Sequence, residues 1–370
     1  MLSQLRPLRP TLALWILSFL ARGTLGCTNE ARGEEALTLR EFPGASNNTT
    51  GEKTAAAPSA EAKPPAEPEV PSLLLSAVGD CTLGDPAGSE LAPGSFHRAF
   101  ADGDYEKPFS GVSSVLGRDD LTIANLEGTL TTDTVRRDLP FSFRGKPEFA
   151  KMLSLGSVDV VTMANNHSND CGPKGVAETK QSLEAVKVGY FGLGTIDTRT
   201  VKGIEVKNLG YLGGRLEVKD EMMRAVTSSK RPDNLVIVSF HWGIEGSHEV
   251  TDIQQKLGHA AIDAGADLVL GHHPHVLQGI ETYKDKKIVY SLGNFVFGGN
   301  AQPDDLASMI YQARFTKKDG VVAFAGDEVI PVHFSGNAVQ NDFVPILLEG
   351  PAKARVLDEM RAWGKLIPSN

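Results

Sequence analysis

The 370-residue chain is 41% hydrophobic and 22% charged, which suits an ordinary globular protein with one large core or two modest ones. Its formal charge of −9 offers no basic stripe to displace counterions from a phosphate backbone, so nucleic acid is excluded as a partner, and an anionic partner would need a local positive centre. Only three cysteines are present, which excludes a four-cysteine zinc site.

Residues 1–26 read as a secretory signal. Arg6 and Arg9 precede TLALWILSFLA, an apolar run of 11 residues from Thr11 to Ala21 that is too short to cross a bilayer as a helix. The end of this segment, Thr24-Leu25-Gly26-Cys27, approximates a bacterial lipoprotein box, although Thr24 stands where such boxes usually carry Leu. The expectation is a lipidated Cys27 at the mature N-terminus, with plain cleavage and a free thiol as the alternative. From residue 27 to 71 the composition turns to Ala, Pro, Glu, Thr and Asn. This stretch has too little apolar surface to offset its ordering entropy and reads as a disordered tether. The Asn47 and Asn48 sequons within it are read as linker chemistry.

A single domain is expected over 72–348, with a C-terminal helix or tail over 349–370. Short apolar runs recur at 73–79 (LLLSAVG), 121–125 (LTIAN), 158–165 (VDVVTMAN), 235–242 (LVIVSFHW), 267–271 (DLVLG) and 287–295 (KIVYSLGNF), each with the character of a buried strand. Helical stretches lie between them at 174–187 and 250–265, the second closed by Gly265. After Ala307, two β-rich runs flank a Lys-Lys-Asp-Gly turn, the pattern of an antiparallel hairpin that finishes a sheet. The alternation predicts an α/β domain with sheets covered by helices.

The polar residues fall at the ends of these runs. Asp80 ends the first, Asn125 and Glu127 the second, Asn165, Asn166 and His167 the third, and His241 the fourth, while GHHPHV (271–276) follows the fifth. In open α/β sheets the ligand crevice lies beyond the carboxyl ends of the strands, so these residues are expected to converge. GHHPHV alone places three of the chain's nine histidines, His272, His273 and His275, in four consecutive positions. Imidazoles mixed with Asp, Glu and Asn form a shell that suits Mn, Fe or Zn better than Ca alone or a thiolate-bound metal. Which of His272 and His273 points inward stays open. His97, His248, His259 and His333 lack such neighbours and read as ordinary. Cys81 and Cys171 read as two free buried thiols, a disulfide between them being the alternative.

GDCTLG, NLEGTL, ANNHSND, HWGIEG, GHHPHV and YSLGNFVF, in this order, resemble the capsule synthesis family CapA, associated with poly-γ-glutamate capsules and grouped structurally with the calcineurin-like metallophosphoesterases. The resemblance covers about residues 73–300. It implies a four-layer fold of two β-sheets flanked by helices, and a site holding one or two divalent metal ions. Carried over residue by residue, it makes Asp80 a ligand of the first metal and Glu127 the bridging carboxylate. Asn166, His241, His273 and His275 complete the ligands, and His167 becomes the catalytic acid or charge stabiliser. Asp170 would orient His167 or cap the following helix. Asn125, Asn165, His272 and Asn294 are candidates for substrate contact or for hydrogen bonds to a metal-bound histidine. Two departures stand out: Asp80 is followed by Cys81 and Thr82, so the Asp-x-His opening is absent, and Asn-Leu-Glu replaces Gly-Asp.

The function this implies is an envelope-anchored protein of poly-γ-glutamate or related capsule polymer synthesis or export, with a metal-dependent hydrolase or transferase site. Its partners would be an anionic polymer or phosphate-containing substrate, membrane-bound capsule synthesis subunits, and the membrane through an N-terminal lipid. Two alternatives remain: a periplasmic metallophosphoesterase of a different substrate, and a non-catalytic polymer-binding scaffold.

Overall fold

The computed structural model describes residues 70–137 and 141–367. The signal segment, Cys27 and the body of the tether lie outside the described residues.

The core strands are, in chain order, β1 (Ser72–Thr82), β2 (Leu121–Leu126), β3 (Val160–Thr162), β4 (Gly189–Phe191), β5 (Asp197–Val201), β6 (Ile204–Leu212), β7 (Asn234–His241), β8 (Leu268–His272), β9 (Ile280–Tyr283), β10 (Lys286–Val289), β11 (Asn294–Phe297), β12 (Ala307–Lys318) and β13 (Val321–His333). The helices are α1 (Phe96–Ala99), α2 (Ser113–Leu116), α3 (Ala150–Leu155), α4 (Gly172–Ala185), α5 (Lys219–Ser229), α6 (Asp252–Asp263) and α7 (Gly350–Leu366). An eight-stranded sheet runs β13-β12-β1-β2-β3-β4, extended beyond β13 by Ile346–Leu347, with β11 pairing to β1. A six-stranded sheet runs β9-β10-β8-β7-β6-β5. The central pairings β1–β2, β2–β3, β6–β7 and β7–β8 are parallel, so their carboxyl ends lie at one edge of each sheet.

Side-chain alternation stacks the layers. In β7, Leu235 and Ile237 enter a core that they share with Leu73, Leu75 and Ala77 of β1. Their neighbours Val236, Val238 and Phe240 join Met222 and Val226 of α5 and Leu257 and Ala261 of α6. Likewise Val78 of β1 packs with Phe96 of α1, Leu116 of α2, Leu153 of α3 and Leu183 of α4. The order is therefore helices, sheet, sheet, helices, the four-layer α/β arrangement. A strand buried on both faces needs near-continuous apolar sequence, which is why these segments read as unbroken runs. Helix α7 contributes Val356 and Met360 to the core between the sheets.

The structure departs from the sequence reading in particular places. The run 287–295 is not one strand: Lys286–Val289 and Asn294–Phe297 belong to different sheets, and the chain crosses between them through Gly293 at φ +71°. A continuous apolar run cannot reveal such a crossing, because both halves are buried. The hairpin of β5 and β6, turned by Lys202 and Gly203 at φ 48° and 76°, has no counterpart among the expected strands. The hairpin expected after Ala307 is β12–β13, with Asp319 and Gly320 at φ 52° and 76°, the two left-handed positions that a two-residue hairpin turn requires. Gly265, at φ +114°, is the residue just past the α6 C-cap, Ala264.

Candidate metal centre

Backbone register assembles the site. In the larger sheet Asp80 stands directly between Asn125 of β2 and Asn294 of β11. In the smaller sheet His241 stands beside His272. The β1–β11 pairing is unusually close at Gly79: a Cβ there would lie 2.0 Å from the Gly293 carbonyl oxygen, so only glycine fits. The Asp80 N–H donates to the same carbonyl at 2.9 Å.

Asp80 is fully buried and lies at the centre of this set. Its Oδ1 accepts from Asn125 Nδ2 at 2.8 Å and lies 3.2 Å from His272 Nδ1. Its Oδ2 accepts from the His273 backbone N–H at 3.2 Å and lies 3.2 Å from His275 Nδ1. Burial pushes this carboxyl up, but the hydrogen bonds and charges of His272 and His275 outweigh it and hold Asp80 well below the usual carboxylate range.

Glu127 has the opposite balance. It is buried, and neither carboxylate oxygen has a hydrogen-bond partner. Burial, with Asp80, Glu245 and Asp170 nearby, pushes it up to about 8 against the opposing pull of His275. Its Oε1 faces three imidazoles: His241 Nε2 at 3.5 Å, His275 Nε2 at 3.9 Å and His167 Nε2 at 4.0 Å.

The imidazoles differ in their surroundings. Burial lowers His241 well below the ordinary histidine value, and also lowers His273. Burial acts the same way on His275, but Glu127 and Asp80 overcome it and raise that ring to about 10. Asn294 Oδ1 lies 2.9 Å from His275 Nδ1 and directs Nε2 toward Glu127. His273 and His275 have φ values of 97° and 59°, rare for residues with a Cβ. That departure from strand geometry resolves the ambiguity over His272 and His273: both reach the site, His272 against Asp80 and His273 with its ring 4.6 Å from that of His241.

The loop after β3 supplies a further pair. His167 Nδ1 lies 2.8 Å from Asp170 Oδ2, which also accepts from the Phe143 N–H at 2.6 Å. The Phe143 ring packs edge-on against the imidazole at 4.6 Å. Asn165 is buried; its Nδ2 donates to Asn125 Oδ1 at 3.0 Å and to the Leu126 carbonyl at 2.8 Å, and its Oδ1 accepts from the His167 N–H at 3.1 Å. Asn165 thus ties the loop after β3 to the end of β2, while Asn166 is exposed. Cys81 is buried and its thiol is pushed up to about 12 by burial, the wrong state for a thiolate ligand. Cys171 takes a hydrogen bond from Thr129 Oγ1 at 3.1 Å, and both cysteines are free.

Three groups of side chains have ligand atoms within 4.8 Å of one another: Asp80, Glu127 and His275; Glu127, His241 and His273; and Glu245, His273 and His275. Glu127 is common to the first two, as a bridging carboxylate would be. Buried atoms without partners point the same way: both Glu127 oxygens, His241 Nε2 and His273 Nδ1 are orphaned, a state that costs free energy unless a cation takes the lone pairs. The donor set therefore fits a divalent ion. Glu245, which lies four residues beyond His241 in a loop, was not reached by the strand-end argument.

The sequence model of the bacterial capsule synthesis protein PGA_cap matches residues 74–299, more than half of the chain. The chain belongs to that family. Among its relatives, the capsule biosynthesis protein CapA of Bacillus anthracis is 31% identical over 236 residues, 56% of this chain and 57% of that protein. The PGA biosynthesis protein CapA of Bacillus subtilis is 32% identical over 249 residues, 60% of this chain and 64% of that protein. The chain thus matches less than two thirds of the length of either relative. Among solved structures, the calcineurin-like phosphoesterase YfkN from Bacillus subtilis covers 80% of this chain at 12% identity with a TM-score of 0.44. This PGA_cap member carries the whole cluster described above inside the matched region, since every residue from Asp80 to Asn294 falls within 74–299.

Proposed function

We propose that this PGA_cap protein is a metal-dependent hydrolase or transferase acting in the synthesis or export of poly-γ-glutamate or a related anionic capsule polymer. The observation that carries the reading is Glu127, a buried carboxylate without hydrogen-bond partners that is shared by two three-ligand groups. The names of the two CapA relatives supply the polymer class. Asp80, Glu127 and His275 would hold one ion, and Glu127, His241 and His273 a second, with the exposed Asn166 a further ligand. Mn, Fe or Zn matches this mixture of oxygen and nitrogen donors. A bound ion would supply Lewis acidity toward a phosphoryl or carbonyl oxygen and a nucleophilic water at neutral pH.

The chain's own residues provide the rest. Asp170 fixes the His167 ring through Nδ1, leaving Nε2 on the Glu127 side to deliver a proton to a leaving group. Asn125 and the backbone of His273 hold both oxygens of Asp80 in place. Asn294 sets the rotation of His275.

In the same reading, acylation of Cys27 anchors the mature protein to the membrane and the 27–71 segment spaces the domain from it; mass spectrometry of the mature N-terminus decides this, and an unmodified start elsewhere removes the anchor. No helix among the described residues is long and apolar enough to cross a membrane. The site is tested by metal analysis of the purified protein and of Glu127→Gln, with turnover measured on phosphate esters and on poly-γ-glutamate. Bound metal with turnover of the polymer supports the proposal. Turnover of phosphate esters alone makes it a phosphoesterase of another substrate. Bound metal without turnover makes it a scaffold, and absence of metal from the wild type overturns the reading.

A further inference from the structure

The loop that leaves His241 holds an acid for which the two inner groups have no role. Glu245 is exposed, yet a carboxylate oxygen of it lies within 4.8 Å of ring nitrogens of both His273 and His275. A surface glutamate can approach a histidine by chance, so what holds the loop matters.

The Gly246 N–H donates to the carbonyl of Pro274, the residue between those two histidines, at 2.8 Å. His248 Nδ1 lies 2.8 Å from the Leu277 carbonyl. The Gln278 amide donates to the carbonyls of Ser247 and Glu249, both at 2.9 Å. Gln278 is fully buried, and its Oε1 accepts from Gln254 Nε2 at 2.8 Å. Gln254 in turn completes the capping box of α6 with Thr251. Positive φ values at Gly243 and Gly246, +87° and +71°, turn the chain on either side of Glu245. The loop is therefore fastened to Pro274 by one backbone bond and to Leu277 and Gln278 just beyond by side-chain bonds, the buried Gln278–Gln254 amide pair among them. Buried polar networks satisfied in this way fix a geometry, and this one fixes Glu245 opposite two imidazoles.

The identity of the three groups adds a second argument. A carboxylate with two imidazoles is a donor set for a first-row transition ion or zinc. His273 Nδ1 is one of the buried atoms that has no partner. Asp80 and Glu127 are closed off from solvent, whereas Glu245 is open to it.

We propose that Glu245 is a metal ligand, forming with His273 and His275 an outer, solvent-facing position for a divalent cation that draws on the same two histidines as the inner groups and so alternates with them. This rests on the metal-centre reading above. The test is titration of the full chain with Mn²⁺ alone, read by calorimetry and by the Mn²⁺ EPR signal, for the wild type, Glu245→Gln and Glu249→Gln. Glu249 is an exposed acid in the same loop whose backbone, not its side chain, makes the loop contacts, so its variant removes the same charge and leaves the loop anchored. The expected result is affinity weakened at least about tenfold in Glu245→Gln and changed less than about twofold in Glu249→Gln. Unchanged affinity in Glu245→Gln, or an equal loss in Glu249→Gln, overturns the role of Glu245 and leaves the metal centre standing. A wild type that takes up no ion overturns both.

Discussion

Glu127 Oε1 and His275 Nε2 face each other at 3.9 Å where the carboxyl ends of the two sheets meet. Each disturbs the other: burial drives the carboxyl up to about 8, and that carboxyl helps to lift the imidazole to about 10. Such a pair, with both carboxylate oxygens lacking hydrogen bonds, is a poor structural ion pair and a good half of a coordination shell. The partner that sets the imidazole rotation is Asn294, through its Oδ1 at 2.9 Å from Nδ1. Asn294→Ala is expected to weaken divalent-ion affinity about 10- to 100-fold, the usual effect of removing a group that orients a ligand. Calorimetric titration of the purified variant checks it, and an unchanged affinity assigns Asn294 to the β1–β11 pairing alone.

His167 and Asp170 separate ion binding from proton transfer. Neither belongs to the three ligand groups, and Asp170 makes its hydrogen-bonding contact with the site through His167 Nδ1. His167→Asn is expected to lower kcat about 10²- to 10⁴-fold while metal content stays at the wild-type level. Asp170→Asn should lower it less, because the imidazole survives and only its orientation is lost. A fall in metal content in His167→Asn, measured by elemental analysis, would move this residue into the coordination shell.

Much of the site can be read from the sequence because parallel strands buried on both faces are continuous apolar runs, and the polar residues that close each run mark its carboxyl end. Asp80, Glu127, His167 and His241 follow that rule and lie together in the structure. The rule fails where backbone geometry decides. Asn165 and Asn166 are adjacent and chemically identical, and only the turn after β3 buries one and exposes the other. His272 and His273 should diverge as strand neighbours, but the left-handed φ of His273 brings both to the site. Glu245 lies inside HWGIEG but past the end of the 235–242 run, between Gly243 and Gly246, and its placement depends on Gln254 and on Gln278, the latter 33 residues on in the chain.

Asp119 gives a pH-dependent term outside the metal centre. Burial, with Asp159 and Asp120 nearby, pushes its carboxyl up to about 6, although Ser76 and Thr122 donate hydrogen bonds to it. The unfolded chain releases this proton near the ordinary aspartate value of about 3.9 and the folded chain near 6, so between these values the folded state binds more protons. Stability contributed by this group therefore falls as pH rises through that window and is flat above it. Asp119→Asn, which keeps an acceptor for Thr122 Oγ1, should unfold like the wild type near pH 4 and at a higher temperature than the wild type near pH 7.5. Thermal melts at the two pH values check this, and a melting difference that does not change with pH removes Asp119 as its source.

Gly79 carries a strict steric constraint, because it lets β1 approach the crossing between the sheets. Its Cβ position is 2.0 Å from the Gly293 oxygen, 2.8 Å from the Gly293 carbon and 3.0 Å from the Leu292 oxygen, all backbone atoms that cannot swing aside as a side chain would. Gly79→Ala must therefore push β1 and β11 apart. The separation would break the bond from the Asp80 N–H to the Gly293 carbonyl and displace Asp80 from its register between Asn125 and Asn294. Overpacking of this kind costs about 1–3 kcal/mol, and more where only backbone can yield. In urea unfolding the variant is expected to be less stable by at least that amount, and it binds divalent ions more weakly than the wild type, although no ligand has been changed. A variant of wild-type stability and affinity would mean that the two strands are not held at this distance in solution.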